Sequence, residues 1–113
     1  MNFKVNKVKI VVTVPVNDLE NIRRVVCEAG AGVIGEYSYC TFSSRVTGTF
    51  LPNENAHPYI GEVKKLEYVD EEKLEFICEV DKVKKVLEQL RAKHPYEEPG
   101  IDIIPLIDEK EFY

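Results

Sequence analysis

The sequence predicts a small α+β fold made of two strand-helix halves, and three observations predict it. Two stretches, Val8 to Val14 and Leu74 to Val80, alternate buried-type and outward-type residues as strands do. Each is followed by a polar residue able to cap a helix and then by an apolar stripe at helical spacing. The remaining segments are rich in β-branched and aromatic residues without a helical period, and supply further strands.

In the first half, Val8, Ile10, Val12 and Val14 alternate with Lys7, Lys9, Val11 and Thr13 until Pro15 stops the strand. Asn17 is the expected N-cap, with Glu20 in the capping-box position, and Leu19, Ile22, Val25, Val26 and Ala29 form the stripe of a helix that Gly30 closes. Glu36 to Phe50 reads as an extended second strand, with a bulge near Gly48. The loop Pro52-Asn53-Glu54-Asn55-Ala56-His57-Pro58 is bracketed by prolines and is expected to project from the sheet. Val63, Leu66 and Tyr68 suggest another extended stretch, and Asp70-Glu71-Glu72 a charged turn before the Leu74 strand.

In the second half, Asp81 is the expected cap of a helix with Val83, Val86, Leu87 and Leu90 on its stripe. Pro95 closes it, Pro99-Gly100 turns the chain, and Ile101, Ile103 and Ile104 supply the last strand before Pro105. Ile10–Gly30 and Leu74–Lys93 therefore look like a pseudo-repeat, and the order strand, helix, strand, strand, helix, strand is ferredoxin-like, βαββαβ. With 113 residues the chain reads as one domain over 1–113, and 108–113 as a loose charged tail.

Composition narrows the function classes. A net charge of −5 disfavours nucleic-acid and membrane partners, since it repels phosphate backbones and anionic lipid. The N-terminus does not read as a signal peptide, and no apolar stretch is long enough to span a bilayer. Cys27, Cys40 and Cys78 are scattered and odd in number, which points to a reducing cytoplasm and away from a disulfide framework or zinc knuckle.

Gly30-Ala31-Gly32-Val33-Ile34-Gly35 matches a dinucleotide fingerprint as a string, yet it follows a helix and opens a strand, the reverse of what phosphate binding requires. No nucleophile motif appears, so no catalytic residue is assigned. His94-Pro95-Tyr96-Glu97-Glu98-Pro99 is the densest cluster of useful side chains. Its simpler reading is a rigid connector with His94 at a helix C-terminus. Its sharper reading is a metal site, a divalent metal being the cofactor that His94, Glu97, Glu98 and Cys40 would take. Tyr39, His57, Tyr96 and Glu97 are the candidate ligand-binding residues, His57 through the projecting loop.

The segments Gly30 to Phe42, Gly48-Thr49-Phe50-Leu51-Pro52, Pro58-Tyr59-Ile60-Gly61-Glu62 and His94 to Pro99 together resemble the inserted domain of the Nif-three-like (YqfO-type) dinuclear-metal-centre proteins. The resemblance implies a ferredoxin-like fold of the CutA and PII kind, homotrimeric assembly, and a metal-binding, hydrolase-type chemistry that belongs to a separate domain of the parent proteins. The expectation is therefore a stand-alone, non-catalytic oligomeric binding or regulatory module, with a small molecule or a protein as its partner. A metal-binding protein centred on His94, or an enzyme with a composite site between subunits, are the alternatives.

Overall fold

The computed structural model describes residues 2–113. Strand β1 covers Lys7–Pro15, and a 3-10 turn at Val16–Asp18 leads into helix α1, Leu19–Glu28. Strands β2, Thr41–Phe50, and β3, Glu67–Glu79, come next. A second 3-10 turn, Val80–Lys82, opens helix α2, Val83–Lys93, and β4 spans Ile101–Leu106. The sheet order is β2-β3-β1-β4 with every neighbouring pair antiparallel, the ferredoxin-like arrangement.

The two halves repeat each other closely. Each strand runs into a 3-10 turn and then a helix, and the helices bury residues at matching positions, Ile22 and Val26 in α1, Val86 and Leu90 in α2. They pack on the face of the sheet formed by Val8, Ile10, Val12, Val14, Leu74, Phe76 and Cys78. A strand alternates its side chains between faces, so the paired residues Thr13, Lys73 and Ser44 belong to the opposite face, which no helix covers.

Several local expectations are corrected. The 3-10 turns displace both caps: neither helix start is capped by a side chain, and Glu20 bonds Arg23 instead of closing a capping box. The second strand begins at Thr41, not Glu36, because residues 30–40 form a loop with left-handed backbone at Gly32, Gly35 and Tyr39. Its pairing with β3 runs through Gly48 opposite Val69 without a bulge. Asp70-Glu71-Glu72 is no turn. It lies inside β3, where all three residues pair with β2 and Glu71 and Glu72 also pair with β1. Pro105 lies within β4 and is tolerated there because β4 is an edge strand. Residues 109–112 form a short 3-10 turn, and Phe112 rests against Phe3 with ring centroids 5.8 Å apart.

Beyond Pro15, β1 no longer pairs with β3, so Val46–Phe50 and Glu67–Glu71 continue largely as a two-stranded ribbon. The ribbon contributes to a long molecule, 51 × 31 × 24 Å. Loop 51–66 closes it, and that loop and the segment after α2 meet over the Glu71 end of the sheet.

Candidate functional site

The site is built where α2 ends. The peptide before a proline is pushed out of the helical region, so His94 adopts extended backbone, φ −68° and ψ 133°, while its N–H still donates to Leu90 O. Its imidazole is buried. Nδ1 accepts the Tyr96 N–H at 3.0 Å, so Nε2 carries the proton and donates to Thr13 O at 2.9 Å. Burial lowers the His94 pKa, opposed by the bond to Thr13 and by the charges of Asp18 and Glu71. A neutral ring with both nitrogens engaged ties α2 to β1.

Tyr96 is turned over the sheet. Its hydroxyl donates to Glu71 Oε2 at 2.7 Å, and its ring stands 5.0 Å from His94, 6.3 Å from Tyr59 and 6.4 Å from Phe50, measured between centroids. Burial, and then the bond to Glu71, push the phenol pKa up, which keeps it a donor. Glu71 is only 6% exposed. Gly48 makes room for it on the neighbouring strand: a Cβ there would overlap Glu71 Oε1.

Glu97 is held from the loop. The His57 N–H donates to Glu97 Oε1 at 3.1 Å, and His57 Nδ1 lies 3.2 Å from Oε2. The backbone bond first, then the side-chain bond, hold this carboxyl below the ordinary range. Together these contacts border an open cleft of about 470 Å³ whose walls include Thr13, Phe50, Pro52, Tyr59, Glu71, Tyr96, Glu97 and Glu98.

Of the candidate ligand-binding residues, His57, Tyr96 and Glu97 are brought together here, His57 as the clamp on Glu97. Tyr39 is not. It sits in the loop before β2 with φ 59°, beside Cys40, whose N–H bonds Gly32 O. That loop is anchored at the other end of the sheet by Gly32 N–H to Ile77 O, so Cys40 and His94 are not neighbours. Among the described residues no three His, Cys, Asp or Glu side chains converge as a metal site would need.

No protein-family model matches the chain. Over 103 residues it is 47% identical to a protein of Halalkalibacterium halodurans named GTP cyclohydrolase 1 type 2 homolog, a match covering 91% of this chain and 28% of that protein. The crystal structure of a Bacillus cereus protein related to NIF3 superposes with a TM-score of 0.81 at 40% identity, over 95% of this chain and 27% of the other. The chain is therefore similar to one segment of these proteins. It spans just over a quarter of the length of the curated relatives it matches. The periplasmic divalent cation tolerance protein CutA from Archaeoglobus fulgidus superposes with a TM-score of 0.67 at 23% identity, covering 94% of this chain and 90% of that one, a likeness of fold. The NIF3-type resemblance carried by the glycine, aromatic and His-Pro-Tyr-Glu-Glu-Pro motifs, and the CutA-like fold it implied, are thus both found.

The site also holds residues that the sequence reading does not assign to it: Glu71 and Thr13, with Gly48, Phe50 and Tyr59, which stand out only within the family-like motifs. A signal for Glu71 existed. Carrying the alternation of Leu74, Phe76 and Cys78 back along β3 puts Glu72 on the helix-covered face and Glu71 on the open one.

Proposed function

We propose that this NIF3-type segment is a non-catalytic, homotrimeric binding module of a reducing, cytoplasmic compartment, with its ligand cleft where the Pro52–Gly61 loop meets the His94–Pro99 turn. The observation that carries assembly is the one-sided sheet: helices cover one face, while the other carries Phe42 and Ile104, both exposed, around the buried Val11. The same face carries Lys73, Glu75 and Asp102, and an uncovered sheet face of this mixed kind with two edge strands is open to subunit packing. The cavity at the end of that face supports a ligand-binding role, being of the size small-molecule sites have.

The reaction named for the full-length relatives is assigned in this proposal to the three-quarters of their length outside this segment. The engagement of both His94 nitrogens supports a structural role for that residue. Sedimentation equilibrium at micromolar concentration tests the assembly. A trimer mass is expected, reduced by Phe42→Asp on the open face, and a monomer in the unmodified protein would overturn it.

A further inference from the structure

The ligand has a chemical class written into the cavity. We propose that it accepts a small organic cation, a protonated amine or guanidinium on a short apolar stem, anchored on Glu71. This deepens the ligand-binding half of the reading above and rests on it.

The anchoring atom is Glu71 Oε1. Its sister oxygen accepts the Tyr96 hydroxyl, but Oε1 takes no hydrogen bond among the described residues. It is also not sealed off, since no buried side-chain oxygen lacks a partner, and Glu71 lines the cavity. Glu71 as a residue is more than nine-tenths buried, so a carboxylate oxygen there without a protein donor has little water around it, and a positive N–H donor satisfies it. Gly48 supports the arrangement, because any side chain there would drive Oε1 from its position.

The walls select the same charge. Glu97 and Glu98 also line the cavity, and no lysine or arginine does. Glu97 has both oxygens on His57, so it adds charge without competing for the donor. Phe50, Tyr59 and Tyr96 present aromatic surface, which attracts cations and accommodates an apolar stem. Phosphates and carboxylates meet three carboxyl groups and a chain of net charge −5, so they are excluded from the same space.

Calorimetric titration of the full chain with n-butylammonium and n-butylguanidinium, against butyrate, inorganic phosphate and butanol, tests this. At least one of the cations is expected to bind and the other three probes to give no signal. Glu71→Gln, which keeps the shape and an acceptor for Tyr96, is expected to weaken cation binding at least tenfold. Gly48→Ala, which displaces Oε1, should weaken it as well, so the outcome does not hang on one variant. Far-UV circular dichroism confirms that both remain folded. Binding of butyrate or phosphate as tight as that of the cations, or unchanged affinity in Glu71→Gln, overturns the proposal. So does the absence of cation binding, including the case in which Glu71→Gln instead dissociates the oligomer, since the positive group then belongs to a neighbouring copy. Native mass spectra of the same samples separate the two readings. A monomer that binds cations defeats the trimer and leaves this inference standing, and a trimer that binds none does the reverse.

Discussion

The two halves of the fold use the same strand, 3-10 turn and helix, and differ in the connector that leaves the helix. After α1 the connector spends its polar groups on itself and on the sheet: Gly30 N–H bonds Cys27 O, Gly32 N–H bonds Ile77 O, and Cys40 N–H bonds Gly32 O. After α2 the connector carries His94, Tyr96 and Glu97, whose side chains reach Thr13, Glu71 and His57 on three other segments. A duplicated scaffold thus repeats its core, while one connector alone sends side chains to three other segments, and the proposed recognition is assigned to that connector.

The largest effects should be equal in the two halves, because the helix stripes are equivalent. Ile22→Ala and Leu90→Ala each remove a fully buried side chain and are expected to cost about 2–5 kcal/mol in urea unfolding. A cost confined to one half would break the equivalence.

The connectors should then part company. Gly32 has φ +72°, and a Cβ there would stand 3.2 Å from the Cys40 backbone, so Gly32→Ala is expected to cost about 1–3 kcal/mol. Gly100 has open space around it and no left-handed backbone. Gly100→Ala should stay within about 0.5 kcal/mol.

A pH dependence belongs to the second connector alone. The unfolded His94 side chain titrates near 6.5, and burial lowers the folded value. Above pH 6.5 both states are neutral; below it the unfolded chain takes up a proton that the folded chain resists. Stability should therefore fall as pH drops from 6.5 through the folded pKa, and His94→Gln should flatten that part of the curve measured by thermal or urea unfolding. An unchanged slope would mean that His94 is not held neutral.

The smallest effect on folding is expected for His57→Ala, because its side chain and that of Glu97 are both well exposed to solvent. It should leave the unfolding midpoint nearly unchanged yet raise amide exchange in residues 52–61 through loss of the ring contact to Glu97, the backbone bond remaining.

Much of the scaffold was legible in the sequence because its signals are local. The alternation of Val8 to Val14 and Leu74 to Cys78, and the stripes ending at Ala29 and Leu90, each report one buried face. The site was legible in part. His94, Tyr96 and Glu97 stood out as a motif, but their partners lie far along the chain, Thr13 81 residues from His94 and Glu71 25 from Tyr96. Glu71 was hidden for a further reason. Three consecutive acidic residues look like a solvated turn, and only pairing with β2, and for Glu71 and Glu72 with β1 as well, makes them part of a sheet. Tyr39 and Cys40 were grouped with the site by residue type, whereas the sheet register sets their loop at its other end.

Amide chemical-shift mapping with n-butylammonium addresses most directly the claim that one connector alone is furnished for binding. Saturable shifts are expected in residues 50–60, around Glu71 and in residues 94–100, with residues 30–40 unmoved. Shifts centred on residues 30–40, or none that saturate, would contradict it.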